Sequence, residues 1–139
     1  MKVDEILSAD PQCISPEASV MEAAQQMKSL DVGMLPVCEN DRLVGSITDR
    51  DITVRAVASD FVPHDAKVGQ VMTHEVVYCF DDEGVHDAAL LMEQRQIRRL
   101  PVLNRQKQLV GIISLADLAV RAGRVKLVGE VLGQISQPR

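Results

Sequence analysis

Gly45-Ser46-Ile47-Thr48-Asp49-Arg50-Asp51 ends an apolar run at a hydroxyl residue and places an acid three residues further on. That spacing has two readings. Thr48 and Asp51 can form a capping box, in which the hydroxyl accepts from a helix amide and the carboxylate accepts from the amide of the capping residue. The same geometry can hold a nucleoside. A hydroxyl at a strand end faces a helix start, which favours anions. A carboxylate one turn in can accept hydrogen bonds from both hydroxyls of a ribose. The readings are compatible. Near the other end the pattern recurs as Gly111-Ile112-Ile113-Ser114-Leu115-Ala116-Asp117, and this recurrence is what favours binding over capping alone.

Around this stretch the chain is written twice. At a shift of 65 residues Val3 falls on Val68, Ile6 on Val71, Ser8 on Thr73, Val20 on Val85, Ala23 on Ala88 and Met27 on Met92. Leu35-Pro36-Val37 falls on Leu100-Pro101-Val102, and after one extra residue in the second turn Leu43-Val44-Gly45 falls on Leu109-Val110-Gly111.

Each copy reads as the same series of elements. A short helical piece, Val3 to Ser8, leads. Gln12 to Ile14 is extended. Ser19 with Glu22 is a capping box, and Val20, Ala23, Ala24 and Met27 have the spacing of a half-buried helix. Met34 to Cys38 and Arg42 to Thr48 are strands around a turn at residues 39–41, and a helix runs from Asp49 to about Ser59. In the second copy Val76 to Cys79 is extended, Val85 to Arg95 is a helix, and Arg99 to Leu103 and Gln108 to Ser114 are strands. A helix from Ala116 to Ala122 ends near Gly123. The order is β-α-β-β-α in each copy, an α+β architecture, with sequence domains at 1–65 and 66–139. Val125, Val128, Leu132 and Ile135 mark a further amphipathic helix, expected to close over the two leading helices or to make a dimer contact. A piece of this size is marginal alone, so two copies are expected to cover each other sheet to sheet with pseudo-two-fold symmetry.

Composition narrows the function. The 139 residues carry a formal net charge of −5, and Phe61, Tyr78 and Phe80 are the only aromatics. Neither a basic nucleic-acid footprint nor a base-stacking platform is expected. No apolar run approaches a membrane span, and acids near Met1 argue against a signal peptide, so a cytoplasmic location is expected. No catalytic triad, phosphate loop or dinucleotide fingerprint is found, and an enzyme is not expected. Cys13, Cys38 and Cys79 read as reduced, mostly buried thiols, with a redox or metal role as the alternative. His64, His74 and His86 have no ligand spacing and read as surface residues.

The ordered set Leu35-Pro36-Val37 with Gly45-x-Ile47-Thr48-x-x-Asp51, repeated as Leu100-Pro101-Val102 with Gly111-x-Ile113-Ser114-x-x-Asp117, resembles a tandem pair of cystathionine β-synthase (CBS) domains, a Bateman module. The resemblance covers roughly Val3 to Ile135. It implies a regulatory module that binds an adenosyl ligand such as AMP, ADP, ATP or S-adenosylmethionine between the repeats, pairs into a homodimer and signals to an effector protein. It needs no resident cofactor. Carried over position by position, Thr48 and Ser114 match the residue that meets ribose or phosphate, and Asp51 and Asp117 match the ribose acid. Gly33-Met34 and Arg98-Arg99 match the lining of the base and phosphate region. Cys13-Ile14 and Tyr78-Cys79 match the stretch whose backbone meets the adenine edge.

The two sites are unequal in sequence. The first carries Arg50 beside Asp49. The second has Leu115-Ala116 inside its motif and depends on Arg98 or Arg99 for an anionic tail, which ranks it higher for a phosphate. Against this, Arg50 reads equally as a surface partner of Asp49, and Arg98 and Arg99 as solvated surface. A rival reading is an interaction module with empty clefts.

Overall fold

The computed structural model describes residues 1–9 and 11–138. It divides into two compact units: Gln12–Val76, the first unit, and Met1–Pro11 together with Val77–Arg139, the second.

In the first unit, Ser19 caps α1, Val20–Leu30, through a reciprocal pair with Glu22 at 3.0 Å in each direction. Val20, Ala23 and Met27 turn inward as their spacing requires. β2, Met34–Glu39, and β3, Arg42–Thr48, form an antiparallel hairpin, with Asn40 and Asp41 in the left-handed region that a tight turn needs. Next comes α2, Asp49–Asp51. The sequence predicts one helix to about Ser59, but the chain opens into a π-helical turn over Ile52–Val57, where the amides of Ala58 and Phe61 bond the carbonyls of Thr53 and Ala56. α3, Val68–Val71, closes the unit.

The second unit repeats the plan in fuller form. A 3-10 turn at Val3–Glu5 leads into β1, Ser8–Ala9. β4, Cys79–Phe80, then precedes α4, Val85–Arg95. β5, Arg99–Leu103, and β6, Leu109–Ser114, make the hairpin. α5, Leu115–Val120, and α6, Val125–Ile135, end the chain. The sheet order is β1-β6-β5-β4. The first unit has the same order reduced to single bridges: Thr73 to Ser46 on one edge and Ile14 to Val37, in parallel, on the other. Under the repeat these are the positions of Ser8 to Ile112 and Cys79 to Val102.

Three expectations change. The leading segment is helical only to Glu5, because Ser8 and Ala9 pair with Ile112 and Gly111. It also docks away from its own repeat. Val3 and Ile6 share a core with Leu100 and Ile113, whereas Val68 and Val71 share one with Leu35 and Ile47. The compact units are thus offset from the sequence repeats by one leading segment each. The hairpin glycine makes room for it: a Cβ on Gly111 would lie 2.7 Å from the Ser8 carbonyl oxygen, and one on Gly45 2.8 Å from that of Thr73. Third, α6 packs on α4 and α5 through Val131, Leu127 and Val128 rather than on the leading segments. α5 stops at Val120, two residues short of the Ala122 expected from sequence, and Gly123, φ 66°, lies in the connection that follows.

Candidate ligand-binding sites of the two units

The strand-to-helix junction has the same backbone in both units. Thr48 Oγ1 accepts the Asp51 amide at 3.0 Å, and Asp51 Oδ2 accepts the Thr48 amide at 3.0 Å. Ser114 and Asp117 do the same at 3.1 and 2.9 Å. Capping is therefore real in both copies. The amide after each cap bonds back across the hairpin, Asp49 to the Gly33 carbonyl and Leu115 to the Arg98 carbonyl, each at 3.0 Å.

The cap takes up one carboxylate oxygen and leaves the other. Asp51 Oδ1 has Arg55 Nη1 at 3.8 Å and Asp117 Oδ1 has Arg121 Nε at 3.7 Å, beyond hydrogen-bond range. The two acid side chains are 13% and 16% exposed, so Oδ1 of each keeps room for a donor. Cap and sugar acceptor are compatible atom by atom.

Around this shared frame the side chains diverge. In the second unit Arg98, Arg99, Ser114, Leu115 and Ala116 line one cavity of about 320 Å³, with Ala119, Val128 and Leu132 completing the wall. Arg99 stands opposite Ser114 in the β5–β6 register. Both arginines are exposed, and among the described residues neither forms an ion pair or a side-chain hydrogen bond. In the first unit Met34 stands opposite Thr48. The place of Arg98 is taken by Gly33, against which the Asp49 carboxylate lies, since a Cβ there would be 3.0 Å from Asp49 Oδ2. Asp49 Oδ1 accepts the Arg50 main-chain amide at 2.8 Å. The surface ion pair considered for Arg50 is absent among the described residues.

Two other candidates behave differently. Ile14 is buried; its amide donates to the Pro36 carbonyl and its carbonyl accepts the Cys38 amide of β2, at 3.0 Å each, which leaves its amide no free hydrogen for an adenine edge. Tyr78 is half-buried and stands edge-on to Phe80 at 5.6 Å. Neither lines the cavity that holds the arginines.

Arg55 and Arg121 are absent from the sequence-derived site. Arg55 Nη1 donates to the carbonyls of Val71 and Met72, both at 3.1 Å, at the end of α3. Arg121 Nη1 donates to those of Ile6 and Leu7 at 3.1 and 3.2 Å, just after the 3-10 turn. The signal was there: each lies four residues beyond its aspartate and one falls on the other under the repeat.

The thiols divide. Cys38 and Cys79 are buried, Cys13 is exposed. Burial first, then the neighbouring Cys13 thiol and Asp41, push Cys38 up to about 12. Burial, with Glu83 and Asp81, does the same to Cys79, also to about 12. His64, His74 and His86 are exposed. Among the described residues no group of three or more His, Cys, Asp or Glu is placed to hold a metal.

Two copies of an α+β unit, each presenting a capped carboxylate at a hairpin end, define a tandem-repeat module. The chain belongs to the CBS-domain family, whose model matches it twice, over residues 3–57 and 68–122. It is 39% identical over 134 residues to the CBS domain-containing protein YhcV of Bacillus subtilis, covering 96% of this chain and 94% of that one. It is 34% identical over 116 residues to Hypoxic response protein 1 of Mycobacterium tuberculosis, covering 83% and 80%. Among solved structures, Hypoxic Response Protein I with two coordinated zinc ions superposes with TM-score 0.78 at 33% identity, over 86% of this chain and 97% of that one. The CBS domain pair of MJ0100 in complex with 5′-methylthioadenosine and S-adenosyl-L-methionine gives 0.75 at 30%, over 88% and 96%. CBSX2 in complex with AMP gives 0.75 at 25%, over 90% and 98%. No helix of the described residues is long and apolar enough to cross a membrane.

Proposed function

We propose that this chain is a regulatory sensor of an adenosyl compound carrying a phosphate or carboxylate, such as AMP, ADP, ATP or S-adenosylmethionine, and that the second unit is its stronger site. One observation carries the reading: Arg98 and Arg99, unpaired among the described residues, share a cavity of about 320 Å³ with Ser114. Ser114 and the arginines take the anion, and Asp117 Oδ1 takes the ribose hydroxyls. The complexes of MJ0100 and CBSX2 with adenosyl ligands support the class of compound. In the first unit Thr48, Asp51, Met34 and Arg50 form the weaker counterpart. The module acts by population shift, a ligand favouring one arrangement of the chain that a partner protein or a second copy reads. It is regulatory rather than catalytic and works in the cytoplasm as a homodimer.

Thermal unfolding in the presence of AMP, ADP, ATP and S-adenosylmethionine tests this. A ligand at about 100 times its Kd adds about 2.7 kcal/mol. The rise in Tm is expected to fall sharply in Arg98→Ala/Arg99→Ala and in Asp117→Asn, and only slightly in Asp51→Asn. No shift with any of the four at millimolar concentration would leave an interaction module as the better account.

A further inference from the structure

The two arginines that sequence reading passed over join features with no local reason to be connected. Each guanidinium approaches the open oxygen of a capped aspartate and also holds the carbonyls at the end of a leading segment: Arg121 does so through Nε and Nη1 separately, Arg55 through Nη1 alone. A cation at a helical end is favourable by itself. Here the arrangement occurs twice, at the same place in the repeat, and the segments held are special. The chain passes from the second unit to the first after Pro11, and back after Val76. Arg121 holds the segment just before the first passage, and Arg55 holds the one just before the second. Thr73 Oγ1 strengthens the second case, standing 3.3 Å from Arg55 Nη1 and 3.5 Å from Asp51 Oδ2.

We propose that Arg121, and Arg55 in the other unit, are positioning residues that couple occupancy of the aspartate to docking of the leading segment. The inference rests on the adenosyl reading above. The hydrogen bonds of Arg121 Nη1 go to the Ile6 and Leu7 carbonyls, and the 3.7 Å approach of Nε to Asp117 leaves Oδ1 able to accept from a ribose. Ligand and guanidinium therefore do not compete. A docked segment fixes the arginine, the arginine steadies the carboxylate, and the carboxylate holds the ribose. Linkage makes the effect reciprocal: a ligand that binds better to the docked form tightens the docking by the same factor.

The test is hydrogen exchange of the Ser8 and Ala9 amides in the full chain, with and without AMP, beside AMP affinity by equilibrium dialysis. Wild type, Arg121→Ala and Arg121→Lys are compared, the lysine variant serving if the alanine variant is poorly folded. The expected result is slower exchange in wild type when AMP is bound, and loss of that slowing together with about tenfold weaker AMP binding in Arg121→Ala. Partial rescue is expected in Arg121→Lys, which keeps the charge without the fork. Faster exchange in the variants with AMP affinity unchanged would mean a purely structural clamp and would overturn the coupling while leaving the adenosyl site standing. Failure of wild type to bind AMP or S-adenosylmethionine at all would overturn the site itself and the coupling with it.

Discussion

The corner formed by Gly33 and Asp49 and the corner formed by Arg98 and Leu115 have one backbone and opposite electrostatics. Both caps are made, and both amides after the cap bond back to the hairpin. Yet one corner presents a carboxylate against a glycine and the other two exposed arginines over an apolar wall. A repeated fold thus supplies the capped carboxylate twice, while the residues around it set the charge of each corner. α6 deepens the contrast. It adds Val128 and Leu132 to the second site, whereas in the first unit Val54 and Val57 of the π-helical turn stay exposed.

The comparison can be broken most forcefully at the glycines. Gly111→Ala puts a methyl 2.5 Å from Leu7 Cδ1 and 2.7 Å from the Ser8 oxygen; Gly45→Ala puts one 2.8 Å from Met72 Sδ and from the Thr73 oxygen. Overpacking of this kind costs about 1–3 kcal/mol. Chemical denaturation is expected to place Gly111→Ala at the upper end and Gly45→Ala slightly below it. Wild-type stability in Gly111→Ala would mean that the leading segment does not lie over β6.

A graft sharpens the electrostatic half. Gly33→Arg with Asp49→Leu gives the first corner the residues of the second. AMP binding at the first unit is expected to tighten about tenfold, roughly 1.4 kcal/mol, read by calorimetry as a second equivalent of ligand. An unchanged stoichiometry would place the asymmetry elsewhere than in these side chains.

The smallest effect concerns the two buried thiols, one in each unit. Cys38 and Cys79 are raised in the folded chain to about 12, above an unfolded value near 9. Their contribution is complete below pH 9 and is lost as pH rises towards 12, because only the unfolded chain ionises early. Each thiol is expected to account for roughly 0.8 kcal/mol of lost stability at pH 9.5, and Cys79→Ala should flatten the decline. Exposed Cys13 should alkylate first at pH 8; faster labelling of Cys79 would show that its strand opens readily.

Much of this was present in the order of residues. Ser19 with Glu22, Thr48 with Asp51 and Ser114 with Asp117 are capping boxes read over four residues, and all three are formed. The strand pair on either side of residues 39–41 followed from alternation and turn composition. The asymmetry between Arg98-Arg99 and Asp49-Arg50 was also visible, although not that Asp49 would fold against Gly33 and bond the Arg50 amide rather than its side chain. That the Ile14 amide and carbonyl both pair with β2 could not be read from sequence, because a strand residue looks the same there whether its amide is open or bonded to a neighbouring strand.

What stands in the chain itself is the repeat, the element order and everything that acts over a few residues: the caps, and the acid three residues beyond each cap hydroxyl. What required the fold are the joins over long separations. Arg121 meets the Ile6 carbonyl 115 positions away, and each leading segment settles in the core that the other repeat builds. No local preference encodes such a meeting, since it depends on which core has an open edge and a glycine low enough for the segment to cross. The stretch from Gly45 to Asp51 could announce a cap and a possible ribose acid. That its second carboxylate oxygen stays open, with an arginine beside it that holds a distant segment, is a consequence of tertiary packing.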